Sequence, residues 1–218
     1  MDLGRDPQRR HPGDGRLSCS FRGDQGQTLP IYIWLTGALL FAAFAFFVFA
    51  QAASVRNGAQ TAADAAALAA AQDARDELTD KLGSVIGQQD DWLDWLDGVQ
   101  SPEGTGATAA AQQLAAENRS TVQGGAQPTD VNGYPGYRVD IETTYTVGAS
   151  IIPGTESRRA RAHAVAVIQP RCDFDPAADP KKPVELNCDG DIVNIDPGDF
   201  DPVDLPDASV LFSVHLAE

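Results

Sequence analysis

The sequence predicts an α+β protein in which a single N-terminal transmembrane helix continues into an alanine-rich helix and precedes a small antiparallel β-sheet domain. Three observations predict this class. An uncharged apolar run extends from Leu29 to Ala50, a proline-free, alanine-rich run follows as far as Val85, and apolar residues alternate with polar ones from Tyr137. We therefore expect a disordered cytoplasmic tail (1–26), a transmembrane helix (27–53), an extracytoplasmic helical region (54–136), and antiparallel strands (137–218) with a long acidic loop (172–207).

The first 26 residues mix Arg, Asp, Gly and Pro without periodicity, which is typical of a disordered tail. The apolar run that follows is about as long as a helix that crosses the hydrocarbon core of a bilayer. Pro30 falls in the first turn, where a missing N–H is tolerated, and Tyr32 and Trp34 stand near one end, as interfacial aromatic residues do. The run is therefore interpreted as a membrane-spanning helix.

Arginine is distributed unequally around the span. Arg56 alone follows it before Arg75, whereas five arginines precede it: Arg5, Arg9, Arg10, Arg16 and Arg22. The positive-inside rule predicts a single-pass cell-membrane protein with its N-terminus in the cytoplasm and its C-terminal domain outside. The alternative is a cleaved signal peptide, because Ala50-Gln51-Ala52 resembles a small-x-small cleavage site. The apolar run exceeds the about 7–15 residues of a signal h-region, which favours an uncleaved anchor.

The formal net charge of -15 comes almost entirely from the exported part of the chain. Nucleic acid is excluded as a partner, because binding to phosphates requires a basic face. By the same reasoning, anionic lipid is disfavoured on the outer side. No cofactor is predicted.

The alanine-rich run has the strongest helix propensity in the chain, and Gly58 is its weakest point. Small residues recur on it at three- and four-residue spacing: Ala59, Ala62, Ala63, Ala66, Ala67 and Ala70. This face is open to two interpretations, helix propensity alone or close packing against like subunits. A stripe of larger residues is expected to pack on the exported domain; it consists of Leu68, Leu78, Leu82, Val85 and Ile86.

These residues carry a family resemblance. The entry Arg22-Gly23-x-x-Gly26-Gln27, the apolar span and the alanine-rich run resemble the N-terminal module of the Tad/Flp pilus-assembly proteins of the TadE/TadG-like type, over residues 22–75. The motif residues are Arg56, Gln60, Ala62, Ala63, Asp64, Ala65, Ala66, Ala67 and Leu68. Prepilin-like members have a Glu shortly after a cleaved Gly, where this chain has Ile31, so the likeness is to uncleaved, anchored members.

The resemblance implies a function and partners. It implies a membrane-anchored, non-enzymatic component of a Tad/Flp-type pilus assembly or secretion apparatus, in its narrowest form a minor pilin-like subunit. The expected partners are the lipid bilayer and other Tad pilus-assembly proteins or like subunits. Asp64, a carboxylate among alanines, is expected to face water or a basic group of a partner subunit.

Two further helices are predicted before the strands. Residues 90–97 form a short amphipathic helix whose Trp92 and Trp95 either pack in the core or form a surface aromatic patch for a ligand. A second alanine-rich helix is expected at residues 107–118. The glycines and prolines of residues 124–136 predict a loop.

Alternation at every second residue predicts two paired strands. The Tyr137–Val147 strand and the Arg159–Ile168 strand form a hairpin whose turn lies at Ile151–Thr155. Acids of the first strand are expected to face Arg159 and Arg161 of the second. A last strand is predicted over Ser209–Leu216, with no neighbour assigned.

Residues 172–207 are acidic and punctuated by proline, which predicts a solvated connector. Cys172 and Cys188 enclose about 15 residues, so in an oxidising compartment they predict a disulfide that contributes about 3 kcal/mol. A zinc site with His163 or His215 is the weaker alternative for these cysteines. Calcium is an alternative function for the loop, with oxygen ligands from Asp189, Asp191 and Asn194, although the EF-hand order of ligands is absent.

No recognised catalytic motif accompanies His11, His163 or His215, so an enzyme is not predicted. Two rival functions remain. One is an anchored extracytoplasmic ligand-binding or sensory domain, with the Trp92 and Trp95 region as its site. The other is a secreted hydrolase released by cleavage after Ala52.

Overall fold

The computed structural model describes residues 28–146 and 157–217. The helices are α1 (Thr28–Val85), α2 (Leu93–Leu96), α3 (Ala107–Glu117) and α4 (Ala208–Leu211), with a 3₁₀ turn at Pro202–Asp204. The strands are β1 (Ser120–Val131), β2 (Tyr134–Thr146), β3 (Arg159–Pro170), β4 (Cys172–Asp173), β5 (Val184–Cys188), β6 (Asp191–Ile195) and β7 (Phe212–Leu216). A long apolar helix followed by an antiparallel sheet domain confirms the predicted α+β class.

The chain divides into two units, residues 1–45 and 46–218, and α1 contributes to both. The described part of the first unit is helical and exposes large apolar side chains, among them Trp34 and Phe41. By length and composition α1 contains a segment that could cross a membrane. The helix also includes Gly58, so the glycine does not interrupt it.

The principal sheet of the second unit has the strand order β1-β2-β3-β7 and is antiparallel throughout. Within it Val139 pairs with Ala164 and Tyr137 with Ala166, which confirms the predicted hairpin. The final strand, whose neighbour the sequence did not assign, pairs with β3 through Ile168 and Val214.

The buried face of this sheet follows the predicted alternation. On β2 every second residue from Tyr137 to Thr143 is buried, and on β3 Ala164, Ala166 and Ile168 are buried. These residues form one hydrophobic core with the part of α1 that follows the apolar run. The larger stripe predicted on the helix belongs to this core: Leu78, Leu82, Val85 and Ile86 are buried, and Leu68 packs against them.

The loop predicted at residues 124–136 is wrong, because this segment is the first hairpin of the sheet. Gly124 and Gly125 lie inside β1, where the register with β2 shifts, so they form an irregularity in a strand. Asn132 and Gly133 make the turn, both with positive φ, as a two-residue hairpin requires. The predicted helical region 54–136 therefore ends with a strand.

The single acidic loop predicted at residues 172–207 is also wrong. It contains a three-stranded antiparallel sheet of order β4-β5-β6. On β5 Val184, Leu186 and Cys188 are buried while the residues between them are exposed, so a short alternating pattern is present within the acidic composition.

Smaller differences concern the ends of elements. Residues 209–211, predicted as the start of the last strand, lie in helix α4, and the helix predicted at 90–97 is reduced to α2. The predicted helix 107–118 is found as α3. The predicted tail and the turn Ile151–Thr155 lie outside the described residues.

Candidate functional site

The part of α1 that follows the apolar run presents one fully buried small-residue face, which consists of Ala59, Ala62, Ala63, Ala66, Ala67 and Ala70. These alanines belong to the same core as Val139, Ile141 and Ala164 of the sheet. Small side chains allow close approach of the backbones that they separate. The sequence left two explanations for this face, helix propensity alone or packing against like subunits. In the structure, the chain's own domain covers the face.

A second face of α1 remains at the surface. Arg56, Gln60, Asp64 and Leu68 follow one another at four-residue spacing and therefore form one stripe, which we call the motif stripe. Arg56 and Gln60 are exposed, while Asp64, Leu68 and the neighbouring Ala65 are half-buried. The motif residues thus separate into buried alanines and an accessible polar edge.

Gln60 connects the motif stripe to the sheet. Its Nε2 donates to Oδ1 of Asp64 at 2.8 Å and to the backbone O of His163 at 3.3 Å. The Asp64 carboxylate, expected to face water or a partner's basic group, has an amide of its own helix as a donor. The stripe therefore runs along the border between α1 and β3.

Gly58 is a contact point between α1 and the end of β2. A Cβ at this position would lie 2.5 Å from Oη of Tyr145, so a larger residue would displace the tyrosine. The guanidinium of Arg119 in turn lies over the Tyr145 ring, 4.7 Å from the ring centroid, in a cation–π contact. The glycine expected to weaken the helix instead allows the sheet to approach it.

Glu77 fixes the segment that leads into α3, a contact that the sequence did not predict. Its carboxylate accepts hydrogen bonds from the backbone N of Glu103 at 3.0 Å, the backbone N of Thr105 at 3.0 Å and Oγ1 of Thr105 at 3.1 Å. The donors lie at least 26 residues away in the chain, so no local pattern signals them.

The pKa values of Glu77 and Asp73, which both contact the segment before α3, are shifted in opposite directions. Burial alone would raise the pKa of Glu77, but the hydrogen bonds from Thr105 and Glu103 lower it below its ordinary value. The pKa of Asp73, which contacts Gly106, is raised by burial and by the charges of Glu77 and Asp76. Burial and the charges of Glu77 and Asp73 also raise the pKa of Tyr137, which contacts Gly104.

We expect Glu77→Gln to lower the free energy of unfolding at pH 7 by about 1 kcal/mol, because the amide is a weaker acceptor than the carboxylate. A lowered folded-state pKa stabilises the protein above the unfolded pKa, and this contribution is lost as pH falls through the folded value. The difference between wild type and variant should therefore disappear in acid.

Urea unfolding of the detergent-solubilised chain, followed by circular dichroism across pH, measures this difference. Asp80→Asn, which removes an exposed carboxylate of the same helix, is the matched control and should change stability little. A pH-independent effect of Glu77→Gln would contradict the assigned role of its charge.

The structure joins Cys172 and Cys188 by a disulfide with an S–S distance of 2.00 Å. The two cysteines are buried and stand opposite each other in the β4–β5 pairing. Nearby, Nε of Arg171 donates to Oδ2 of Asp189 at 2.7 Å, and its Nη1 donates to the backbone O of Ser209 at 2.7 Å. The disulfide joins β4 to β5, and Arg171 ties the small sheet to the segment before β7.

The predicted calcium ligands do not converge. Asp189 is engaged by Arg171, while Asp191 and Asn194 are three residues apart on β6 and so point to opposite faces of the strand. Within the described ranges 28–146 and 157–217, no group of three or more His, Cys, Asp or Glu side chains could hold a metal. His163 and His215 are exposed on β3 and β7.

The two tryptophans have different environments. Trp92 is fully buried, and its Nε1 donates to the backbone O of Pro180 at 2.9 Å. Trp95 is half-buried and packs against the core. Beside α2 lies a cavity of about 590 Å³ whose lining includes Asp90, Asp94 and Phe174. Core packing accounts for Trp92, and the cavity is the nearest feature to a ligand site in this region.

Comparison with protein families bears on the segment that contains the span and the motif stripe. Residues 26–73 match the family described as "Putative Flp pilus-assembly TadE/G-like". This segment is TadE/G-like. The match confirms the resemblance deduced from the motif residues. No match was found among curated proteins or among solved structures.

The family match covers only part of the described chain. The TadE/G-like segment contains the apolar part of α1 and all of the motif residues, and it ends at Asp73. The Glu77 junction, both sheets and the disulfide lie beyond it. The match thus covers α1 as far as Asp73, and the 145 residues that follow lie outside it.

The burial of the alanine face can be tested by comparing substitutions at two adjacent residues, Ala66 and Ala65. We expect Ala66→Leu to lower the free energy of unfolding by about 1–3 kcal/mol, because Ala66 is fully buried against the sheet domain. Ala65→Leu, a half-buried neighbour in the same motif, should change it by less than about 0.5 kcal/mol. Equal effects in urea unfolding of the purified chain would contradict the burial of one face.

Proposed function

We propose that the protein is a membrane-anchored, non-enzymatic component of a Tad/Flp-type pilus-assembly or secretion apparatus, in its narrowest form a minor pilin-like subunit. The observation that carries this proposal is the TadE/G-like match over residues 26–73. The match includes the helical segment that is long and apolar enough to cross a membrane. Both features favour a structural role at the membrane.

The motif stripe is the surface that we assign to other components of the apparatus. The alanine face is covered by the chain's own domain, so contacts along the exported helix are left to the accessible edge beside it. Arg56 and Gln60 are exposed there and offer hydrogen-bond donors to a partner.

Recovery of partners from membranes tests the function. The tagged full chain should co-purify with the pilus-assembly ATPase and the membrane-platform proteins of the same cells. Arg56→Glu should weaken this recovery. Lys182→Glu, an equal charge reversal on an exposed residue of the loop between β4 and β5, should not. Failure to recover these proteins with the wild-type chain would refute the assignment.

We infer an N-terminus in the cytoplasm and an extracytoplasmic C-terminal domain. The arginines before the span support this orientation, and the disulfide is the kind of bond that persists in an oxidising compartment. A membrane-impermeant maleimide applied to intact cells should miss Cys19, and should reach Cys172 and Cys188 only after reduction. Labelling of Cys19 from outside would reverse the orientation.

We further infer that the anchor is retained. Residues 50–53 are helical in α1, whereas a signal peptidase requires an extended segment at its cleavage site. The intact mass of the membrane-extracted protein should correspond to a chain that keeps the span. A mature form that begins at Ala53 and accumulates in the medium would instead favour the secreted hydrolase.

An anchored ligand-binding or sensory domain is the second candidate. The cavity of about 590 Å³ beside α2, with carboxylates and aromatic rings in its lining, favours this alternative. It predicts that a small cationic ligand raises the melting temperature of the full chain, and that pilus-assembly proteins are not recovered with it.

A further inference from the structure

One end of the principal sheet lies against the first exported turns of α1. Tyr145 of β2 contacts Gly58, and the backbone O of His163 on β3 accepts from Gln60. Phe46 and Phe49, in the same unit of the chain, are exposed and belong to the apolar run. At the helical rise, Gly58 follows Phe49 by about 14 Å. Within this unit, the same end of the sheet is therefore the end nearest to Phe46 and Phe49.

Five exposed arginines, which we call the arginine collar, gather at this end: Arg56, Arg119, Arg158, Arg159 and Arg161. Arg119 lies on the ring of Tyr145, and Arg159 stands opposite Thr146 in the strand pairing. Arg158, Arg159 and Arg161 line one open cavity of about 580 Å³. Arg56 precedes Gly58 by two residues on α1 and so lies still closer to the apolar run.

The acidic residues at this end do not neutralise the positive charge of the arginine collar. Glu142 faces Arg161 at 2.6 Å and Arg159 at 3.6 Å, and its own side chain is 17% exposed. Glu117 ends α3 near Arg119, and Asp140, which lines a cavity with Arg161, is paired with Arg138. Asp64 lies farther along α1, by about 9 Å from Gly58. Among the described residues, the five arginines exceed Glu142, Glu117 and Asp140, so this end is positive.

The opposite end carries the negative charge of the domain. Leu205 packs beside Gly83 and the carbonyl of Pro197 contacts Gly87, so the segment 196–207 lies at the far end of α1. Gly83 is about 38 Å along the helix from Gly58. The segment contains no Lys or Arg and five aspartates: Asp196, Asp199, Asp201, Asp204 and Asp207. The net charge of -15 thus conceals a domain with a basic end and an acidic end.

We propose that the arginine collar docks on the anionic phospholipid headgroups of the membrane that α1 crosses. This inference rests on the anchoring in the proposed function. Arg56 follows the last apolar residues by about one Debye length, and basic residues at that distance are attracted to an anionic surface. Guanidinium groups pair with phosphate oxygens through two hydrogen bonds. The acidic end is repelled, so the membrane charge orients the domain.

The docking revises the expectation that anionic lipid is disfavoured on the outer side. That expectation treated the exported charge as uniform, whereas a surface acts on the charges within a Debye length of it. The acidic segment lies beyond this range when the collar faces the membrane. Local charge rather than net charge then decides the interaction.

Quenching by headgroup-labelled lipid tests the proposal on the full chain in nanodiscs. A fluorophore is placed at the exposed Ser157 through Ser157→Cys in a Cys19→Ser background, with the native disulfide oxidised. Phosphatidylglycerol added to phosphatidylcholine should increase quenching about threefold, and high salt should reverse it. A fluorophore at Val203, which is 82% exposed in the acidic segment, should show no increase.

Charge variants identify the groups responsible. Arg56→Gln with Arg158→Gln leaves both ion pairs of Glu142 intact and should reduce the ratio of docked to undocked domain roughly tenfold. Lys181→Gln with Lys182→Gln removes the same charge from the loop between β4 and β5, outside the collar, and should leave the ratio unchanged. Equal loss in both variants, or equal quenching in pure phosphatidylcholine, would overturn the proposal.

Carbonate extraction distinguishes this failure from failure of the proposed anchoring. A chain that resists extraction but shows no dependence on phosphatidylglycerol would be anchored without docking. A chain released by carbonate would overturn both the anchor and the docking. Lipid-independent quenching that appears with a pilus component present would assign the collar to a protein partner and refute the lipid assignment.

Discussion

Trp92→Ala is expected to lower the free energy of unfolding of the sheet-containing domain by about 3–5 kcal/mol. Trp92 is the largest of the fully buried side chains in the described ranges. Its removal leaves a cavity where α2 meets the segment that contains Pro180, and it deprives the Pro180 carbonyl of its donor at 2.9 Å. Both losses act in the same direction, so we expect the largest effect of any single substitution considered for this chain.

Two further variants separate packing from hydrogen bonding. Trp92→Phe retains an aromatic ring and loses the donor, so it should cost much less than Trp92→Ala. Trp95→Phe changes a half-buried ring and should have a small effect. Urea unfolding of the detergent-solubilised chain, followed by circular dichroism, measures all three. A loss below about 1 kcal/mol for Trp92→Ala would contradict the burial of this side chain.

The hairpin of β2 and β3 was predictable because its strands obey a simple alternation. From Tyr137 to Thr143 every second residue is buried, and Glu142 pairs with Arg159 and Arg161 as the sequence suggested. The preceding strand was missed because Gly124 and Gly125 resemble a loop, whereas the turn lies at Asn132-Gly133. Glycine pairs mark bulges as well as turns, and the partner strand determines which one forms.

The contacts of Glu77 and the β4-β5-β6 sheet were not predicted, because neither has a clear local sequence pattern. Glu77 binds donors at Glu103 and Thr105, and no repeating pattern signals a contact across so many residues. In the small sheet the three buried residues of β5 stand among aspartates and prolines. Average composition favours a loop there, while a buried disulfide with a few apolar side chains suffices to order short strands.

The TadE/G-like segment shows what a motif can and cannot specify. Its alanines identified the family segment, but a face of Ala62, Ala63, Ala66 and Ala67 suits a neighbouring subunit as well as a sheet of the same chain. The choice depends on residues far along the chain, such as Val139 and Ala164, which complete the core. Propensity and spacing define the face, and tertiary packing assigns its partner.

Removal of the Cys172–Cys188 disulfide is expected to lower the free energy of unfolding by about 3 kcal/mol. The bond closes a loop with a sequence separation of 16, which limits the freedom of the unfolded chain. In the folded state the cysteines form one of the two residue pairs that hold β4 to β5, so little else secures β4. Cys172→Ala with Cys188→Ala should therefore destabilise the small sheet more than the principal one.

Hydrogen exchange with mass spectrometry resolves the two sheets of the full chain. The amides of β5 and β6 should exchange faster in the double variant, and the same change should follow reduction of the wild type. The amides of β2 and β3 should be less affected, because their pairing does not involve the disulfide. Cys19→Ser is the matched control and should leave both sheets unchanged. Equal acceleration in both sheets would show that they unfold as one unit and that the disulfide supports the whole domain.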